Sequence, residues 1–159
     1  MSYNILADIY TNAEHARGKY NLDYLNFGER SSKIMAEIKE SDPDLVCLQE
    51  VDNYDTVYKP FLNKLGYECH IEWRREDDAV LIGYKTDKFE LRDTLHIQYN
   101  DLKKRFRHSI FLKGNTAIVA KLRYKATSKE LIVVTTHIHW NPKLDFIKYA
   151  QMFYLFEKI

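Results

Sequence analysis

A layered α/β fold with mixed, mainly antiparallel sheets is predicted by three observations: strand and helix patterns alternate early in the chain, short strands rich in β-branched and aromatic residues follow, and the apolar content suffices for one core. The chain has 159 residues, 45% hydrophobic and 14% aromatic, which suits a single domain over 1–159. Lys and Arg number 24 against 23 Asp and Glu, a net charge of +1. No global field then attracts nucleic acid, and any phosphate binding must be local. Two cysteines, Cys47 and Cys69, are too few for a disulfide framework and favour a reducing, intracellular setting. The N-terminus has no basic region followed by an apolar stretch, and no segment approaches about 20 uninterrupted apolar residues. A soluble, intracellular and cytoplasmic protein without a membrane partner is therefore expected.

Each element follows from local pattern. Met1 to Leu6 reads as a strand. Phe27 to Glu40 reads as a helix, because Ile34, Met35 and Ile38 share one face among charged residues. Pro43 separates it from the apolar strand Leu45 to Val51, which delivers a glutamate near its end. A helix over about Asp55 to Leu65 is closed by Gly66, with Pro60 as an internal contradiction. Tyr67–Trp73, Ala79–Tyr84, Phe89–Tyr99, Thr116–Tyr124 and Leu131–His137 read as short strands. A last helix runs from about Asp145 towards Ile159.

Several residues within this frame can carry chemistry. Glu50 closes a buried strand, where a carboxylate either is solvated or holds a hard cation such as Mg²⁺. Asn4 lies in an apolar strand, where an amide is costly unless its polar atoms are satisfied. His137 and His139 stand two apart, so in a strand both imidazoles face one side. A zinc site would need further ligands, and His15, His70, His96 and His108 lack the spacing. Lys103, Lys104, Arg105, Arg107 and Lys113 form a basic cluster that can meet an RNA backbone or stand as a solvated loop.

Three segments in order, Ser2-Tyr3-Asn4-Ile5-Leu6-Ala7, Leu45-Val46-Cys47-Leu48-Gln49-Glu50-Val51 and Thr135-Thr136-His137-Ile138-His139-Trp140-Asn141-Pro142, together resemble the endonuclease/exonuclease/phosphatase superfamily. The likeness is to its poly(A) deadenylase branch, which includes the catabolite-repressor-type deadenylases, nocturnin and Angel. The resemblance implies a four-layer α/β sandwich, two mainly antiparallel sheets face to face with helices outside, and catalytic residues along one edge. It implies that Glu50 is the ligand of Mg²⁺, with Mn²⁺ as a substitute, and that Asn4 and His137 sit at the scissile phosphate. It further implies that His139 and Asn141 contact substrate, that Pro142 packs on an adenine face, and that Arg74 replaces a phosphate-holding lysine of relatives. Asp78-Ala79-Val80-Leu81-Ile82-Gly83-Tyr84-Lys85 is similar to another family segment, with Ala79 where the family has glycine.

The family's later Gly-Asp-Phe-Asn segment and its final Asp-His pair do not occur in the sequence. The resemblance accordingly implies the N-terminal half of a catalytic domain, cut at both ends, with an apolar sheet face left uncovered. Three functions stand open at this point. One is a Mg²⁺-dependent 3′-to-5′ exoribonuclease acting on poly(A) 3′ ends, with protein partners of a deadenylase complex. Another is a phosphatase or phosphodiesterase of the same superfamily acting on a different phosphorylated substrate. The third is a non-catalytic remnant that binds RNA or a partner.

Overall fold

The computed structural model describes residues 1–11 and 25–159; His15 lies outside the described residues. Among the described residues, seven strands form two sheets. The first has the order β1-β2-β4-β3, from β1 (Ser2–Asn4), β2 (Leu45–Val51), β3 (Tyr67–Arg75) and β4 (Asp78–Lys85). β1 and β2 pair in parallel, and β2–β4 and β3–β4 are antiparallel. The second is the antiparallel series β5 (Phe89–Gln98), β6 (Thr116–Tyr124) and β7 (Glu130–His137). The mixed α/β layering is the one the sequence pattern predicts, and the two facing sheets are what the family resemblance implies.

The sheets face each other through Val80, Ile82 and Tyr84 of β4 and Ile118, Ala120 and Leu122 of β6. Helix α2 (Phe27–Ser41) covers the outer face of the first sheet, placing Ile34 and Ile38 against Val46, Leu48 and Leu81. Asn26 caps its start by accepting from the Glu29 N–H at 3.1 Å. On the second sheet, α4 (Leu102–Phe106) and α5 (Asp145–Lys158) bring Leu102, Ile147 and Leu155 onto Ala117 and Val119. Four layers result, and β4 is buried over seven consecutive residues because both of its faces are covered.

The expected helix over Asp55–Leu65 begins as a wider π-type turn, Tyr54–Tyr58, and runs on into α3 (Lys59–Lys64), the Lys59 N–H donating to the Tyr54 carbonyl, with Pro60 in the first turn of α3. Gly66 follows with φ +82°, the left-handed conformation that ends a helix without a Cβ penalty. A short α1 (Asp8–Thr11), not foreseen from pattern, follows β1. Among the described residues, no helix is long and apolar enough to cross a membrane.

Strand directions determine where chemistry can gather. Glu50 sits at the end of β2 where antiparallel β4 begins, since Val51 pairs with Ala79. His137 sits at the end of β7 where β6 begins, since it pairs with Thr116. Gln49 Nε2 donates to Thr135 Oγ1 at 2.9 Å, tying β2 to β7 across the sandwich close to that edge.

Candidate active site

Glu50 and Arg74 share an unusual backbone position: each is the residue skipped where a ladder slips. The β2–β4 register shifts between Gln49 and Val51, and the β3–β4 register between Trp73 and Arg75. A bulge frees one residue from pairing and re-aims its side chain, and such bulges concentrate beside active sites. Glu50 adopts φ +56°, a left-handed conformation costing a non-glycine residue roughly 1–2 kcal/mol. Its hydrogen bonds offset that cost. Oε1 accepts from Asn4 Nδ2 at 2.8 Å and Oε2 from the Ala7 N–H at 3.3 Å.

Asn4 is itself fixed, because its Oδ1 accepts from the Leu6 N–H at 3.0 Å. Arg30 holds the same turn, donating to the Ile5 and Leu6 carbonyls and lying 3.3 Å from Asp8 Oδ1. The Asp8 N–H donates to Asp52 Oδ2 at 2.6 Å. The β1–α1 turn is thus tied to α2 and to the segment just after β2.

His137 Nε2 lies 3.8 Å from Glu50 Oε1. Burial, reinforced by Arg74, holds its imidazole below the ordinary histidine range despite the opposing carboxylates of Glu50 and Asp78. His137 is therefore neutral at pH 7. β7 ends at His137, so His139 lies beyond the strand, yet both imidazoles border one cavity. A buried amide relay holds them: the His139 N–H donates to Gln151 Oε1 at 2.9 Å, Gln151 Nε2 to Asn115 Oδ1 at 3.1 Å, and Asn115 Nδ2 to the His137 carbonyl at 2.8 Å. His139 is also held low, by burial and then by Lys113 and Lys148.

The cavity measures about 590 Å³, within the range of small-molecule sites. Glu50, His137, His139 and Arg74 supply its polar wall. Leu6, Leu112 and Trp140 form an apolar rim, with Trp140 76% exposed. Lys113 and Arg75 add positive charge. Arg74 Nη2 donates to buried Asp78 and to the Tyr10 hydroxyl, and Tyr10 donates to Asp78 Oδ2 at 2.6 Å.

Of the residues singled out by sequence, Asn4, Glu50, Arg74, His137 and His139 come together. Asn141 and Pro142 do not border this cavity: Asn141 accepts from the Lys143 N–H at 2.9 Å and caps a short 3₁₀ turn, and Pro142 is exposed in that turn. The basic cluster disperses. Lys113 faces the cavity, whereas Lys104 pairs with Asp101 and Arg105 with Glu157. Tyr10, Asn115, Gln151 and Trp140 are the residues that sequence reasoning gave no role. A signal existed for Gln151, an isolated amide on the apolar face of α5, by the reasoning that singled out Asn4.

For a divalent cation the donor set is one carboxylate beside one amide. No group of three or more His, Cys, Asp or Glu residues could hold a metal ion among the described residues. That set fits Mg²⁺, which binds through one or two carboxylates while keeping waters and substrate phosphates. Glu50 spends one lone pair on each oxygen, so acceptor capacity remains on both.

The layers and the strand-end site define an α/β sandwich of the nuclease and phosphatase type. Residues 1–147 match the model of the Endonuclease/Exonuclease/phosphatase family, and the chain belongs to that family. It is 32% identical, over its whole length, to the CCR4-Not complex 3′-5′-exoribonuclease subunit Ccr4 of Yarrowia lipolytica, of which it covers 26%. It is 34% identical to Protein angel homolog 2 of Bos taurus, again over its whole length and covering 30% of that protein. The chain thus spans less than a third of these relatives. The solved structure of ANGEL2, a 2′,3′-cyclic phosphatase, in complex with adenosine-2′,3′-vanadate superposes with a TM-score of 0.86 at 31% identity, covering 95% of this chain and 44% of that one.

Proposed function

We propose that this chain supplies the cation-binding and phosphate-binding part of a Mg²⁺-dependent phosphodiester hydrolase that shortens RNA from its 3′ end, with poly(A) as substrate. The observation that carries this reading is Glu50, lifted out of its ladder by a bulge, bonded to Asn4 and 3.8 Å from His137 at the wall of one cavity.

Glu50 and Asn4 would hold Mg²⁺, or Mn²⁺ in its place, and the cation would neutralise charge developing on the phosphoryl oxygens. Asn4 keeps the Glu50 carboxylate turned towards the cavity. His137, neutral through burial, donates one N–H to a phosphoryl oxygen. Arg75 and Lys113 add local positive charge that the net charge of the chain does not provide, beside Arg74, whose charge is balanced by Asp78. The exposed indole of Trp140 offers a face on which a base can stack without sequence readout. The name of the Yarrowia relative supports both the exoribonuclease reading and the inclusion of protein partners from such a complex.

A second reading keeps the site and changes the bond. The likeness to ANGEL2, whose solved complex holds an adenosine-2′,3′-vanadate, supports a 2′,3′-cyclic phosphate at an RNA end as the substrate.

Both readings are tested with 5′-labelled oligoadenylate ending either in a 3′-hydroxyl or in a 2′,3′-cyclic phosphate, with Mg²⁺ or with chelator. Stepwise shortening of the first, lost in Glu50→Ala, supports the exoribonuclease. Opening of the second without shortening supports the cyclic phosphatase. RNA that binds and stays intact under all conditions leaves the binding reading in place of both.

A further inference from the structure

Asp78 is fully buried at the start of β4, and Arg74, on the bulge of β3, reaches it through one nitrogen, Nη2, which donates to Asp78 Oδ2. Arginine commonly meets a carboxylate with two parallel N–H···O bonds. Here the second bond is not made. Arg74 Nε and Asp78 Oδ1 are both buried without a hydrogen-bond partner among the described residues, although buried polar atoms are ordinarily paired. A side-on arrangement, Nε to one oxygen and Nη2 to the other, would satisfy both.

Tyr10 stands against that arrangement. Its hydroxyl donates to the same Asp78 oxygen at 2.6 Å and accepts from the same Arg74 nitrogen, closing a triangle of contacts. Its ring lies 5.9 Å from the guanidinium carbon. The backbone carrying Tyr10 is itself tied down, since the Asp8 N–H donates to Asp52 and the Tyr10 N–H to the Ala7 carbonyl at 3.0 Å. The Ala7 N–H in turn donates to Glu50. One short segment, Ala7 to Tyr10, therefore holds the carboxylate at one bulge and the guanidinium at the other.

We propose that Tyr10 is a positioning residue: its hydroxyl holds Arg74 end-on to Asp78 and so keeps Nη1 for a phosphate oxygen of the substrate, in the cavity that Glu50 also borders. Among the described residues Nη1 makes no hydrogen bond, and Arg74 and Tyr10 both line that cavity. Arg74 is also near enough to His137 to oppose its protonation. Asp78 balances the guanidinium charge, so what Arg74 contributes is a hydrogen bond of fixed direction more than long-range attraction. This role rests on the phosphate-binding reading of the cavity and goes beyond it by giving the Arg74 donors an orientation and a cause.

The test is a variant cycle on oligoadenylate affinity in the full-length protein, read by fluorescence anisotropy of a 5′-labelled strand in chelator, so that the RNA stays intact and no cation contributes. Tyr10→Phe keeps the ring and removes only the hydroxyl. It should weaken binding about tenfold, the scale of one hydrogen bond to a charged group. In the Arg74→Met, Asp78→Leu background the same change should leave affinity unmoved, because no guanidinium remains to be aimed. A hydroxyl that merely closes an ion pair would lower the melting temperature and leave the affinity of the folded protein as it was, and that result overturns the proposal. Equal losses in both backgrounds would place Tyr10 against the RNA itself and overturn it as well. Cleavage is followed separately with Mg²⁺. A protein that shows the cycle without cleaving keeps this role and loses the hydrolase reading, whereas cleavage with unchanged Tyr10→Phe affinity does the reverse. A wild-type protein that binds no oligoadenylate overturns both.

Discussion

Asn4 and Glu50, 46 positions apart in sequence, are joined by a 2.8 Å hydrogen bond from the Asn4 amide to one Glu50 oxygen. The bond spans β1 and β2, a parallel pair whose register sets Asn4 beside Gln49, one residue short of the bulge. The carboxylate is therefore aimed by a neighbouring strand as well as by its own backbone. Removing Glu50 should remove the cation site, whereas removing Asn4 should leave it misdirected. Glu50→Gln is expected to lower turnover by on the order of a hundredfold or more, and Asn4→Ala by less, with a raised Mg²⁺ requirement. Steady-state assays over a Mg²⁺ titration separate the two patterns; equal losses with unchanged Mg²⁺ dependence would contradict the aiming role of Asn4.

Gln151 is the hinge of the amide relay under the two histidines. In Gln151→Leu the His139 N–H and Asn115 Oδ1 both lose a buried partner, and each such loss costs about 1–3 kcal/mol. The variant should unfold at lower denaturant, and activity should fall further than stability alone requires because Asn115, which donates to the His137 carbonyl, loses the partner that holds its amide. Gln151→Glu, which keeps one acceptor, should lie between Leu and wild type in a urea titration.

Arg74 and Asp78 form a buried ion pair, with side chains 10% and 1% exposed. Deleting only the cation leaves a buried carboxylate with the Tyr10 hydroxyl alone. Arg74→Met should therefore destabilise by about 3–5 kcal/mol, and Arg74→Met with Asp78→Leu by much less. Thermal unfolding of the single and double variants checks this. The double variant should still bind oligoadenylate more weakly than wild type, since Arg74 also borders the cavity.

His139 provides a pH test. Its folded-state affinity for protons is depressed by burial, then by Lys113 and Lys148, while an unfolded histidine titrates near pH 6.5. Its contribution to stability is thus fully present above about pH 6.5 and is lost as pH falls through that value towards the lower folded one. His139→Gln should have a flatter decline in urea midpoint between about pH 7 and pH 5 than wild type. Parallel declines would place the histidine in solvent.

Trp140 should report on substrate directly. Trp73→Phe leaves Trp140 as the one indole of the chain, and its emission should be quenched by oligoadenylate and not by an abasic strand of equal length. Trp140→Ala should weaken oligoadenylate binding by roughly tenfold, in line with about 1–3 kcal/mol for one stacked base. Equal binding of the two strands by the wild-type chain would place the base elsewhere.

Local pattern in the sequence determined the elements and their order. Ile34 and Ile38 mark α2, the apolar run to Val51 marks β2, and the β-branched strands mark the later sheets, because helix and strand periodicities are written in neighbouring residues. Three separated motifs also sufficed to single out Asn4, Glu50 and His137, which the fold brings together. Tertiary structure alone decided how these groups face each other. The bulges at Glu50 and Arg74, the Gln151–Asn115 relay and the Tyr10–Arg74–Asp78 cluster depend on strand pairing and on contacts between residues up to 68 positions apart. The dispersal of the basic cluster has the same origin, since which cations face the cavity is known only once the chain has folded. Short-range sequence encodes conformational preference, whereas the direction of a side chain into a site is set by long-range packing that no local window contains.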